Sequence, residues 1–328
     1  MTTKEGVVIL DDEKQEERGG DPFDIFSVPT INTDYDKAYC EYIEPMSHLT
    51  QTGPIVFKWQ TEGGERWDAA PTEIETTFNI MKTSGSRATV ADDISFINSL
   101  PACYWDKIEL KANDKIVTNS SCGNHAYHAY LMQKSSYGKD VKKEILKRTE
   151  GYFEDDPDKV DQFELKTTTN LEGQSVTVND VFKQRHDFFL NQPTANVVTR
   201  SQLYLDLTQV LQYHPTDIDY ILTLTRNPES FCLMSDTTND GLYKIVVKRI
   251  RLIIRKIKPS AHMIERANNF INVRRKKAYI PYTHTVLTDR LFPANINKHT
   301  FRDVCGTLPS LPKKLFVFMV DHTAFAGS

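Results

Sequence analysis

The sequence offers no local signature of the commoner chemistries: no CxxC pair, no G-x-S-x-G elbow, no G-x-x-x-x-G-K loop and no G-x-G-x-x-G turn. That removes the ready indications of thiol redox sites, serine hydrolases, phosphate loops and dinucleotide binding. Its 5 cysteines, at positions 40, 103, 122, 232 and 305, are odd in number and scattered. A disulfide framework is therefore not expected, and reduced thiols are. No apolar run approaches the ~18 residues of a membrane span, and residues 1–5 lack the basic and apolar regions of a signal peptide. The expectation is a soluble protein, intracellular when made. Net charge is also small, at −4 from 40 basic and 44 acidic residues. That argues against a surface built throughout to coat nucleic acid and leaves local basic patches open.

What the chain has instead is alternation. Ile218, Tyr220, Leu222 and Leu224 alternate with Asp217, Asp219, Thr223 and Thr225, the period of a strand with one buried face. After Asn239-Asp240-Gly241, a turn signal, a second run extends to Lys258. Ile250, Ile253, Ile254 and Ile257 also fit helical spacing, but the β-branched residues Ile245, Val246, Val247, Ile250, Ile253 and Ile254 suit a pleated surface better. The run reads as a long strand, bulged near Val247, with Arg249, Arg251 and Arg255 on the face opposite Ile250, Leu252 and Ile254. The two runs are expected to pair antiparallel.

Taken in order, 328 residues with 39% hydrophobic content suit about two domains. Residues 1–24 are too polar to offset their own ordering entropy and read as an acidic tail. From Phe26 to Pro54 the scattered Tyr35, Tyr39 and Tyr42 suggest an extended arm lying against a neighbour. Ile55-Val56-Phe57-Lys58-Trp59 is a first strand between Gly53-Pro54 and Gly63-Gly64. Ile74, Thr76, Phe78 and Ile80 mark a second. Asn113-Asp114 centres a hairpin, with Ile108 and Leu110 facing one way before it and Ile116 after. Residues 124–133 read as a short helix, and Asp140 as the cap of another that Gly151 stops. Residues 166–180 read as a polar insertion. Leu203, Leu205 and Leu207 read as another half-buried strand. After Pro259 a helical link and the cluster Arg274-Arg275-Lys276-Lys277 precede renewed strand signals over 279–287. Leu315-Phe316-Val317-Phe318-Met319-Val320 reads as a strand buried on both faces or meeting a partner. Many short strands with long loops and few helices predict a β-sandwich or barrel.

Particular stretches say more. Phe26-Ser27-Val28-Pro29-Thr30, Tyr127-His128-Ala129-Tyr130, Tyr137-Gly138-Lys139-Asp140, Asp206-Leu207 and Arg226 with Glu229-Ser230-Phe231-Cys232-Leu233-Met234 occur in that order. Leu311-Pro312-Lys313-Lys314-Leu315 and Val320-Asp321-His322-Thr323-Ala324-Phe325-Ala326-Gly327-Ser328 follow. In order and spacing, from about residue 24 onward, they resemble the double jelly-roll major capsid protein of Polinton (Maverick) elements and the related adintoviruses. The resemblance implies a mainly β fold, an antiparallel jelly-roll sandwich with short helices in its insertions. It further implies 1–52 as tail and arm, 53–258 as a first jelly roll, 259–277 as linker and 278–328 as the opening strands of a second, incomplete one.

Candidate chemistry is sparse. Cys122, His125 and His128 invite a zinc hypothesis but offer no fourth ligand. Asp92-Asp93 and Asp155-Asp156 read as solvated acids. Lys248, Arg249, Arg251, Arg255, Arg274, Arg275, Lys276 and Lys277 are the candidate binding residues, for DNA phosphates or, at 274–277, as a nuclear import signal. On the plainer reading they are a solvated strand face and a linker. The expectation is a structural protein, not an enzyme, with no cofactor and no metal. It would form homotrimeric capsomers of an icosahedral shell around double-stranded DNA, with neighbouring capsomers and a penton-type minor capsid protein as partners. It would reside in the virion, made in the host cytoplasm and assembled there or in the nucleus. A host-adopted β-sandwich that binds a carbohydrate or a protein is the alternative.

Overall fold

The computed structural model describes residues 34–50, 52–118, 124–159, 165, 167–169, 175–177, 179–191, 196–235, 241–287 and 312–322. The tail over 1–24, the motif Phe26 to Thr30, Cys122, Cys305, Asn239-Asp240 and residues 323–328 lie outside the described residues. The main strands, numbered in chain order, are β1 (Tyr35–Ile43), β2 (Ile55–Gln60), β3 (Arg66–Lys82), β4 (Trp105–Ala112), β5 (Lys115–Ile116), β6 (Val197–Gln202), β7 (Asp219–Arg226) and β8 (Tyr243–Pro259).

These strands form two four-stranded sheets, ordered β1-β8-β3-β6 and β2-β7-β4-β5. First pairs with eighth, second with seventh, third with sixth and fourth with fifth. That nesting is what results when one antiparallel ribbon is rolled into a sandwich, and it defines a jelly roll. It also corrects one expectation. β7 and β8 do not pair with each other. β7 lies antiparallel between β2 and β4, while β8 lies between β1 and β3 in the opposite sheet.

The alternation of β7 is satisfied on both sides. Leu222 stands opposite Phe57 of β2 and Leu110 of β4, and all three are 0% exposed. Trp67 fills the sandwich beside Trp59, Tyr220 and His214, with ring centroids 5.2, 4.8 and 4.7 Å away. Its indole N–H donates to Thr72 Oγ1 at 3.1 Å, so the large apolar ring is buried without an orphaned donor.

Both long strands change phase once. On β8 the core residues are Tyr243, Ile245 and the half-buried Val247, then Ile250, Leu252 and Ile254. The inward set moves from odd to even positions, where the sequence placed the bulge. On β3 the shift falls between Ala69 and Thr72, at Pro71, which has no N–H to give to a ladder. The Asn113-Asp114 hairpin is also as read, with φ of 47° and 65° at its two corners, the left-handed pair that a tight two-residue turn needs. Ile116, however, registers opposite Lys111 and is 59% exposed, on the face away from Ile108 and Leu110.

Other expectations are corrected by where backbone partners are found. Tyr35–Ile43, read as part of an arm, is a strand on the edge of the first sheet. The strand before β7 is Val197–Gln202; Leu203, Leu205 and Leu207 are buried beyond its end, in a bend and a 3₁₀ turn over Asp206–Gln209. Alternating apolar residues there report burial, not a ladder. Residues 279–287 and 315–320 are not strands, and Leu315 to Val320 are exposed. A strand needs an edge to bond to, and no described segment provides one.

Helical insertions interrupt the strands. Before β7 they are Leu100–Cys103, His125–Ser136, a run from Lys139 to Glu150 with a π-helical middle over Lys142–Leu146, and Asp180–Leu190, and a short helix Glu229–Cys232 follows β7. Asp140 is not a cap, because Gly138 holds that place. Gly151 does stop the run, at φ +66°. Asn179 caps Asp180–Leu190 by accepting from the Val181 and Phe182 N–H groups. The polar insertion contains a small hairpin, Thr167–Thr169 with Ser175–Thr177.

Packing separates residues 34–38 with Ile257–Ala278 from the unit that begins at Tyr39. Within that smaller unit the Ser260 N–H donates to the Asp34 carbonyl at 2.9 Å. The helix Ala261–Asn268 follows and continues as a π turn, Asn269–Val273.

Candidate functional site

The basic face of β8 is engaged by its own sheet. Arg249 meets Glu44 at 2.7 Å, Arg251 meets Glu75 at 2.6 Å, Arg255 meets Asp68 at 3.6 Å, and neighbouring Lys256 meets Glu41 at 2.7 Å. Glu75 also takes Arg200 of β6 at 2.9 Å, and Arg251 lies 4.5 Å from the Tyr42 ring. Charge-assisted contacts thus cross all four strands of the sheet, from β6 through β3 and β8 to β1. Burial alone would raise the Glu75 carboxyl, but the two arginines hold it below its ordinary value. At Asp68 burial outweighs Arg255 and the carboxyl is raised. Lys248 is exposed. Arg274, Arg275, Lys276 and Lys277 are exposed in the smaller unit, where Arg274 and Lys276 lie 4.9 and 5.5 Å from the Phe270 ring.

One acid of each pair proves to be a fastening. Asp92 takes Lys82 at 2.8 Å, the Tyr243 hydroxyl at 3.0 Å and the Thr89 N–H at 2.7 Å. Burial opposes ionisation there, yet these donors win and hold the carboxyl at about 2. Asp155 pairs with the buried Arg185 and accepts from Asn98 at 3.2 Å. Only the sequence-distant partner reveals each role, so neither was legible beforehand.

His125 and His128 lie with ring centroids 5.8 Å apart. Burial, and then His128, push His125 down to about 3. Among the described residues no three His, Cys, Asp or Glu side chains are grouped to hold a metal ion. The three tryptophans, Trp59, Trp67 and Trp105, are 5%, 0% and 1% exposed. None is free to form a sugar-stacking platform. A cleft along β1 and β2 is lined by Glu41, Glu44, Lys58, Glu62, Glu65 and Lys256, among others. It holds salt-bridging groups and no nucleophile–base pair.

The most perturbed acid is one that sequence reasoning missed. Glu150, 2% exposed, ends the helical run before Gly151. Its carboxylate accepts from Ser99 Oγ at 3.0 Å, Tyr204 Oη at 3.1 Å, the Gln202 N–H at 3.4 Å and Gln133 Nε2. Burial pushes it up to about 7, against those hydrogen bonds. Gln133 Oε1 has no partner among the described residues. Three insertion segments and the end of β6 meet on this one group, joining the decoration to the sandwich. Nothing in the sequence separates this glutamate from its solvated neighbours.

A second junction is Asp206. Its Oδ2 accepts from the Thr285 N–H at 2.8 Å and contacts His284 Nδ1 at 3.2 Å. The Tyr282 hydroxyl donates to the Val117 carbonyl at 3.4 Å. These bonds hold the returning segment 282–285 on the sandwich.

No helix among the described residues is long and apolar enough to cross a membrane. No protein-family model matches the chain, and no curated protein matches it. Among solved structures it is similar to a chain of the Sputnik virophage determined by cryo-EM, with a TM-score of 0.47 and 14% identity, over 73% of this chain and 51% of that one. It is similar to the Faustovirus major capsid protein, with a TM-score of 0.37 and 10% identity, over 76% of this chain and 59% of that one. For the mavirus major capsid protein the values are 0.36 and 11%, over 73% and 50%. The chain thus spans about half the length of these structures. The assignment as a jelly roll rests on the nested pairing of its own eight strands.

Proposed function

We propose that the chain is a capsid protein, a wall-forming subunit whose work is shape. In this reading it is the first jelly roll, 53–258, and the opening of a second, 278–328, of a Polinton-type double jelly-roll subunit. It assembles as a homotrimer into capsomers that tile an icosahedral shell around double-stranded DNA, with a penton-type minor capsid protein at the vertices. It resides in the virion, after synthesis in the host cytoplasm. Lys248 is the proposed DNA-facing cation; Arg249, Arg251 and Arg255 contribute less, since each already faces a carboxylate.

The observation that carries the reading is the exposed apolar run. Leu315 to Val320 are 40–89% exposed, a contiguous apolar surface of the kind that marks an interface when it stands on an otherwise well-packed domain. The rolled eight-strand topology and the ordered sequence resemblance support the same reading. The glycan-binding alternative loses its best recognition groups, because all three tryptophans are inside. The test is the mass of the purified chain by light scattering across a concentration series, with electron microscopy of the product. Trimers that tile are expected. A chain that stays monomeric at high concentration and binds a sugar on a glycan array would overturn the proposal.

A further inference from the structure

We propose that the element from Ala261 to Lys277 is a membrane-surface anchor, lying flat on an anionic lipid leaflet with its apolar edge in the headgroup boundary and its terminal cations on lipid phosphates. The inference is independent of whether the chain builds a shell.

The pattern comes first. Met263, Ile264, Ala267, Phe270 and Ile271 recur at helical spacing and define one apolar stripe, while His262, Glu265, Arg266, Asn268, Asn269 and Asn272 take the remaining surface. Neither the helix Ala261–Asn268 nor its continuation Asn269–Val273 has a fully buried residue, and Met263, Ile264, Ala267 and Phe270 are half-buried. Ile271 is 52% exposed and Val273 75%. The apolar stripe therefore ends in water, at the turn where the cations begin.

Charge is one-sided. Glu265 is the single carboxylate of the element, against Arg266, Arg274, Arg275, Lys276 and Lys277. Arg274 and Lys276 lie 4.9 and 5.5 Å from the Phe270 ring, which places positive charge directly beside the apolar edge. Duplex DNA would take the cations but has nothing for Ile271 and Val273, because its outer surface is phosphate and sugar. An apolar protein groove would take the isoleucine and valine but leave four adjacent like charges to be neutralised. An anionic bilayer takes both. Apolar side chains enter the boundary region while basic ones meet the headgroups, and the two contributions add.

The experiment uses the full chain and sedimentation with vesicles of phosphatidylcholine, with and without phosphatidylserine, at low and high salt. Binding is expected only to the serine-containing vesicles and is expected to fall with salt. R275S/K276S is expected to weaken it by about fivefold per cation removed. I271S/V273S, with every charge kept, is expected to weaken it by about tenfold or more. Both pairs are exposed, so their melting transitions should match the parent. Parallel titrations with a short duplex DNA and a self-association measurement complete the set. No vesicle binding overturns the anchor, as does vesicle binding that ignores I271S/V273S. DNA binding that depends on the cations alone, without vesicle binding, assigns the element to nucleic acid instead. Self-association lost in I271S/V273S, again without vesicle binding, assigns it to a second copy.

Discussion

Two apolar stretches of this chain have opposite fates. Asp219–Arg226 alternates buried apolar residues with a second face that is polar except at the half-buried Ile221, and Tyr220, Leu222 and Leu224 are 1%, 0% and 0% exposed with a strand on either side. Leu315 to Val320 is apolar at every position, yet its residues are 40–89% exposed and form no strand. The richer stretch is the wetter one. Hydrophobicity makes a segment costly to leave in water, but a strand exists only where another edge supplies its backbone partners.

The contrast is most directly tested at its buried end. Leu222→Ala removes the β7 side chain that stands between Phe57 of β2 and Leu110 of β4 and is expected to cost about 3–4 kcal/mol, read as a lower urea midpoint at unchanged slope. A loss under about 1 kcal/mol would mean that the sandwich interior is not packed as described.

Next in size is a contrast of pH. Glu150 ionises in the folded state only near 7, above its ordinary 4.5. Stability is therefore full below 4.5 and is lost as pH rises through 7, by roughly 3 kcal/mol from a shift of that size. Glu150→Gln removes the ionisation. The variant is therefore expected to show no such decline from pH 5 to pH 8, where the parent loses stability. Parallel pH profiles of the two proteins would show that the buried carboxyl is not the source.

Asp206→Ala removes the acceptor of the Thr285 N–H and should cost about 1 kcal/mol. Hydrogen exchange is the sharper readout: amide 285 is expected to lose protection while the amides of β7 keep theirs. Smallest of all is Met319→Ala at 89% exposure, expected within about 0.5 kcal/mol in the dissociated chain. A cost there as large as at Leu222 would erase the difference between the two stretches.

How much could be read beforehand follows the same division. The alternation of β7, the phase change near Val247, the Asn113-Asp114 turn and the stop at Gly151 are local, and local rules found them. Which strands pair was misread, because chain neighbours β7 and β8 belong to opposite sheets. Asp92, Asp155 and Glu150 were passed over because most of their partners lie 10 to 151 positions away in the chain. Arg251 and Arg255 looked like free cations until Glu75 and Asp68 came to face them.

By itself the amino-acid order determined that the body would be β, where its strands bend and where its turns fall, since period, β-branching and left-handed corners act between near neighbours. Only the rolled tertiary structure decided which strand lies beside which, which acids stay charged and which apolar run remains wet. Those outcomes depend on groups brought together from distant parts of the chain, and no window of sequence contains both halves of such a contact.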